Sequence, residues 1–341
     1  MSKFSLNVLK ECVFPYLTVE DPDVILGAVF GEDIALTRIK DGILVSHLDP
    51  IIGAVNQIGW LAVHIACNDI ATSGARPRWI LPLVLVPDKN DHALLQEIMR
   101  DVSLGAREIG VSVIGGHTGY SASLARPLVA VTALGTLPPE KTPILSSGAR
   151  PGDHILVTKG IGLEGTAILA GDFSETAKSL GLTEADLHAA HALIKGVSVI
   201  PEALILADHG ASAMHDVTRG GLLETLLEMA QVSAVALSIN EAAIPIPDVV
   251  QRFSIAFQFY PLRMISSGTL VATISEENLP RAAAQLTSEG IPYADIGTVR
   301  EGQGVDLVGE KGDRHFIESH PEADALARMW EIYPRDDVSG N

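Results

Sequence analysis

Acidic side chains recur where strands and turns meet in this 341-residue chain. Asp33 ends the run Gly31-Glu32-Asp33 just before an apolar segment, and Asp49 follows ILVSHL. Asn68 and Asp69 lie inside WLAVHIACNDIATSGARP, and Asp216 lies in AMHDVTRGG. Taken singly, each is an ordinary cap or turn residue. Asp69 differs, because Ala66, Ile70 and Ala71 surround it in an apolar run with helical spacing. A buried carboxylate must meet a cation or hydrogen-bond donors. Several carboxylates at the carboxyl ends of strands make a hard-oxygen cluster of the kind that Mg2+ takes together with the phosphates of a nucleotide.

Two glycine-rich segments could receive those phosphates. Gly115-Gly116-His117-Thr118-Gly119 follows the apolar run VSVI, and its glycines allow backbone to approach an anion closely. A tight strand-ending turn would use the same residues. Gly160-Ile161-Gly162-Leu163-Glu164-Gly165 matches GxGxxG between a strand-like and a helix-like segment. The dinucleotide fingerprint also needs an acidic residue at the end of a second strand about 20 residues on. That region, LTEADLHAAHALIKG, is helical in pattern, so the fingerprint fails. A phosphate-facing loop of another kind and a plain strand-to-helix turn both stay open. No GxxxxGK[ST], GxSxG or HExxH occurs. His188 and His191 share a helix face without a third ligand.

The elements that must position these residues follow from hydrophobic periodicity. A short helix is predicted over 3–17, strands over 34–39 and 43–48, and a helix over 55–72. A strand follows at 78–86, a helix at 91–109, and strands at 111–116 and 128–137. The Pro/Gly/Ser-rich stretch 138–153 reads as a linker. Beyond it, strands are predicted at 154–159, 234–239, 268–275, 292–299 and 304–308. Helices are predicted at 164–172, 183–194, 198–209, 219–231 and 278–288. Both halves mix strands and helices, which predicts an α/β (α+β) protein of two domains, 1–145 and 150–335.

Composition narrows the function classes. Lys and Arg total 24 against 42 Asp and Glu, a formal charge of −18. Most of the excess falls after residue 150, with 12 basic against 27 acidic residues there. Such a chain is a poor partner for nucleic acid or an anionic membrane surface. The apolar runs are far shorter than a span of about 20 residues, and the N-terminus lacks a signal-peptide pattern. A cytoplasmic location is expected. Two cysteines, Cys12 and Cys67, without a CxxC make a disulfide framework or thiolate zinc site unexpected.

In order along the chain, FGEDIA, SHLDP, NDIATSGARP, VIGGHTG, VTALG, ARPGDHILVTKGIGLEGTAIL, MHDVTRGGLLETLLEMA and PLRMISSGTLV form one set. The set resembles the aminoimidazole-ribonucleotide synthetase (PurM-like) superfamily over about residues 25–310, nearest its HypE-like branch. The resemblance implies an N-terminal mixed-sheet domain whose strands form a barrel shared across a homodimer, and a C-terminal α/β domain. It implies ATP and Mg2+ as cofactors, used to phosphorylate or activate an oxygen of a small-molecule or protein-borne acceptor, often of amide type. Carried over by position, Asp33, Asp49 and Asp69 are the metal and phosphate-binding acids, with Asn68 beside Asp69. Gly115, Gly116 and Thr118 match the nucleotide loop. If the Gly160–Gly165 segment is a phosphate-facing loop, Gly162 and Gly165 are further cofactor-binding positions. Asp69, Asp216 and His117 are the candidate catalytic residues, Asp216 on the acceptor side.

The chain departs from the family pattern twice. His117 stands where many relatives carry an acidic residue. The HypE-like branch carries a terminal cysteine, whereas this sequence ends MWEIYPRDDVSGN. The departures keep two further readings open beside the ATP-dependent enzyme. One is a hydrogenase-maturation factor working on a partner-supplied thiol, and the other is a non-catalytic nucleotide-binding scaffold.

Overall fold

The computed structural model describes residues 6–17, 21–52, 57–309, 312–317 and 324–333. The first three positions of the helix expected over 3–17, and the tail beyond Tyr333, lie outside them. The chain divides into two compact units between Pro143 and Ile144.

The first unit holds strands β1 (Val24–Leu26), β2 (Ala35–Ile39), β3 (Gly42–Ile52), β4 (Arg76–Val86), β5 (Ser112–Val113), β6 (His117–Tyr120) and β7 (Leu128–Leu137). Its helices are α1 (Leu6–Cys12), α2 (Ile58–Thr72) and α3 (His92–Ile109). The strands form one sheet in the order β1-β2-β3-β7-β4-β5, with β6 also paired to β4. β3, β7 and β4 are long antiparallel neighbours, whereas β5 and β6 run parallel to β4. Every residue of α2 from Ile58 to Ala71 is buried. A helix apolar on all sides belongs in a core, and α2 packs on β3 and β7 with α3 behind it. Gly59 makes that layer possible, since a Cβ there would sit 2.4 Å from the Ile98 carbonyl oxygen of α3. α3 starts on Asp91, whose carboxylate accepts the Leu94 N–H at 2.9 Å, and ends at Gly110 in the left-handed conformation.

The expected barrel is corrected here. Among the described residues the sheet is open from β1 to the β5/β6 edge, and these edges do not pair. Closure needs two continuous edges. At one side β1 has only three residues and a register shift against β2. At the other, the edge strand breaks between β5 and β6. Ile80 accepts the Ile114 N–H on that side of β4, and two residues on, with the same orientation, stands Pro82. Proline offers no N–H there. The incoming chain bends over it at Gly116, with φ +142 and an imagined Cβ 2.3 Å from the Pro82 carbonyl oxygen. The strand expected over 111–116 is therefore two residues long, and His117 opens a separate strand.

The second unit holds β8 (His154–Thr158), β9 (Ala211–Asp216), β10 (Ala236–Asn240), β11 (Leu270–Ile274), β12 (Tyr293–Arg300), β13 (Gly304–Val308) and β14 (Arg314–Ile317). Its helices are α4 (Leu163–Asp172), α5 (Ser174–Ser179), α6 (Glu184–Ala192), α7 (Ile200–Asp208), α8 (Gly221–Ser233), α9 (Asp248–Phe257), α10 (Leu279–Ser288) and α11 (Ala325–Ile332). The sheet order is β14-β13-β10-β12-β8-β11-β9. β8 and β9 are each antiparallel to β11, so they run the same way and their carboxyl ends leave one edge of the sheet. Ile155, Val157, Val271, Leu222 and Leu226 build the core under α8. A second core joins Phe173, Phe253 and Phe257 to Leu326 and Met329 of α11. Among the described residues no single helix is long and apolar enough to cross a membrane.

Candidate functional site

In the first unit, β3 and α2 bring the acidic residues into relation. His47 and Asp49 are two residues apart on β3, so they share a face. That face meets α2, because His47 Nε2 lies 3.2 Å from Asp69 Oδ2. The same ring bonds through Nδ1 to the backbone carbonyl of Asp33. His47 thus stands between the segment before β2 and the end of α2. Asp69 is 5% exposed and Asn68 is fully buried, Asp49 is half-buried, and Asp33 is exposed. Burial, with the Asp69 charge adding to it, pushes the Cys67 thiol far above its ordinary range. Cys67 is therefore a packing residue at neutral pH.

Sheet register sets the distance from these acids to the glycine loop. Asp49 pairs with Val131 of β7, Val131 pairs with Pro82 of β4, and Gly116 crosses Pro82. Asp49 and Gly116 thus lie on one row of the sheet, three strand spacings or about 14 Å apart. Gly115, Gly116, His117 and Thr118 are exposed. A single ion, with bonds near 2 Å, cannot join the two, while an extended ligand spans them. Among the described residues no three His, Cys, Asp or Glu side chains converge closely enough to hold a metal on their own. The donors still fit Mg2+. They are carboxylate oxygens, and this ion is held by one or two carboxylates plus phosphate oxygens rather than by an all-protein cage.

The second unit places its residues on the shared carboxyl edge of β8 and β9. Asp216 is the last residue of β9 rather than the residue after it, and it is wholly buried. Neither carboxylate oxygen has a hydrogen-bond partner among the described residues. The His215 ring, 3.7 Å from Oδ1, bonds instead to the Asp216 carbonyl at 2.7 Å. A buried acceptor without a donor is costly in the chain alone. Gly162 starts α4 in the left-handed conformation. Its Cβ position would fall 2.7 Å from Val250, and that of Gly165 would fall 2.2 Å from the Met264 sulfur. The close approach these two glycines allow is thus to protein atoms.

Several residues that shape this edge carry no obvious signal in the sequence. Lys159, beside the glycines, turns inward to Glu202 at 2.6 Å and to the carbonyls of Gly196 and Ser198 at 2.8 and 2.5 Å. Burial lowers its affinity for a proton, and Glu202 works against that. With its ammonium held by these acceptors, it does not serve as a phosphate-binding lysine of the P-loop kind. Glu164, in the first turn of α4, is 4% exposed. Burial pushes its carboxyl up to about 7, although Ser267 donates to it and Arg219 lies near. The clue was an acid flanked by Leu163, Gly165 and Ala167. His47 was missed because ILVSHL reads as strand alternation, although a histidine two residues before Asp49 must share its face.

The comparisons with known proteins match both halves of the chain. Models of the AIR synthase related protein match residues 31–137 with its N-terminal domain and residues 150–310 with its C-terminal domain. The chain is 32% identical over 262 residues to the carbamoyl dehydratase HypE of Azotobacter vinelandii, covering 74% of this chain and 73% of that one. A crystal structure of hydrogenase maturation protein HypE in complex with ATP shares the fold, with TM-score 0.72, 24% identity and coverage of 90% and 92%. A HypE–HypF complex shares it with TM-score 0.71, 21% identity and coverage of 85% and 93%.

Proposed function

The chain belongs to the AIR synthase related family, and from that premise we propose that it is an ATP- and Mg2+-dependent enzyme that activates an oxygen of an acceptor molecule. The observation that carries this reading is the place of His47 between the Asp33 backbone carbonyl and the Asp69 carboxylate, with Asp49 on the same face and in register with Gly116. Bound Mg2+ would neutralise phosphate charge, the main requirement of phosphoryl transfer. Carboxylates drawn from Asp33, Asp49 and Asp69 would hold it together with phosphate oxygens of the nucleotide. Backbone N–H groups from Gly115 to Thr118 would orient phosphate oxygens, with His117 at the strand start. His47 stands beside the Asp69 carboxylate, and Asp216 faces the acceptor. In this reading 1–145 is the nucleotide domain and 150–335 the acceptor domain.

Isothermal calorimetry with ATP and Mg2+ tests the reading. Wild type binds, and Asp69→Asn weakens binding at least about tenfold, or 1.4 kcal/mol. No heat from wild type at millimolar ATP refutes it, and binding without ADP release for any acceptor leaves only a scaffold. A hydrogenase-maturation factor acting on a partner-supplied thiol is a second reading, supported by the 32% identity to the carbamoyl dehydratase HypE of Azotobacter vinelandii. Recovery of a carbamoyl-transferring partner in a pull-down would select it.

A homodimer is also proposed. The sheet face turned away from α2 carries Leu44, Leu48, Leu81, Leu83 and Leu134, with Leu48 59% exposed. An apolar face of this kind is a docking surface for a second copy. Light scattering that returns only a 36.1 kDa species refutes it.

A further inference from the structure

The helix α11 lies outside residues 150–310, which match the family's C-terminal domain. It is nevertheless joined to the turn that follows Asp216. Asp324, at its head, uses both carboxylate oxygens. Oδ1 accepts the Leu326 and Ala327 N–H groups of α11 at 2.8 and 3.3 Å. Oδ2 accepts the Gly220 N–H at 2.9 Å. Gly220 is the N-cap of α8 and has no side chain to cap it. One carboxylate therefore sits at the positive ends of two helices.

The turn needs such an anchor. Gly220 and Gly221 both have positive φ, +84 and +69, which leaves the pair little intrinsic rigidity. Its other backbone ties include Val217 N–H to the Thr269 carbonyl at 2.8 Å, Gly221 N–H to the Thr218 carbonyl at 3.1 Å and the Thr225 hydroxyl to the Gly221 carbonyl at 3.3 Å. α11 itself is fastened to the second core through Ala325, Leu326 and Met329. Asp324 thus transmits the position of a packed helix to a glycine turn.

We propose that Asp324 is a positioning residue, which through α11 holds the Asp216–Gly221 turn in its working geometry. The functional meaning rests on Asp216 facing the acceptor, as proposed above, while the mechanical link stands without it.

Hydrogen exchange on the full chain tests the link. Asparagine at this position keeps a good N-cap for α11 through its one oxygen. Its amide N–H2 cannot accept from Gly220. In Asp324→Asn the Gly220 and Gly221 amides should exchange at least about tenfold faster, while amides of β11 keep wild-type rates. Turn protection within about threefold of wild type overturns the proposal, whether or not α11 loosens. In Asp324→Ala, which removes both links, turn and α11 should lose protection together. An unchanged turn there overturns it equally. ATP–Mg2+ calorimetry on Asp324→Asn should match wild type. Absence of ATP binding in wild type would sink the enzymatic reading and leave the exchange comparison intact.

Discussion

Replacing Glu164 by glutamine removes a buried ionisable group while keeping an oxygen that can accept from Ser267. The carboxyl is 4% exposed, and burial moves it from 4.5 to about 7. Its folded-state affinity for protons is therefore above the unfolded one. Between those two values the folded chain binds more protons, so this group lowers stability as pH rises through that window and adds nothing further above it. At about 1.4 kcal/mol per pH unit, the cost accumulated by pH 8 is about 3 kcal/mol. Glu164→Gln escapes it. Urea unfolding followed by circular dichroism, at about pH 4.5 and about pH 8, gives the variant's stability relative to wild type at each. Taking the difference between those two values cancels every other titration. The relative stability of the variant should rise by about 3 kcal/mol from the lower to the higher pH. A change below about 1 kcal/mol, or a fall, refutes the assignment of a neutral buried acid at this position.

Three further outcomes follow from the geometry. Gly116→Ala forces a Cβ toward the Pro82 carbonyl at positive φ and should cost about 1–3 kcal/mol in urea; wild-type stability would contradict the bend described at β4. Glu202→Gln leaves the inward-turned Lys159 ammonium without its counter-charge, and a loss of about 3 kcal/mol or more is expected by thermal unfolding. With a thiol reagent, Cys12 should react at once and Cys67 only on unfolding, so two fast thiols per native chain would count against the burial of α2.

Long regular elements were legible in the sequence, and the links between them were not. β7 spans 128–137 and β13 spans 304–308, as the alternation predicts, and α2 and α3 fall within their predicted ranges. Each is decided by its own periodicity. β6 was invisible because His117–Tyr120 has no apolar alternation and exists only through pairing with Leu83–Val86 of β4. α9 and α11 were not predicted, although both present apolar residues to the second core. The open sheet departs from the expected barrel for a local reason, the missing N–H of Pro82, which is readable only once β5, β6 and β4 are known to be neighbours. In the site, Asp49 and Asp69 were named from their acidic type, their places after a strand and inside an apolar helix, and the family resemblance. Their neighbour His47 and the anchor Asp324 act through contacts 22 and 104 residues away in sequence, to Asp69 and Gly220.

The break at Pro82 also bears on how this protein could be improved. A substitution that favours a regular edge, such as Pro82→Val, would invite β5 and β6 to fuse into one strand. The fused strand would be the more stable sheet and would erase the exposed bend beside the Asp49 row. Selection for thermal tolerance alone would therefore drift toward a sturdier chain with a closed-over loop, so a stabilised variant should be screened for nucleotide binding before its melting temperature is taken as progress.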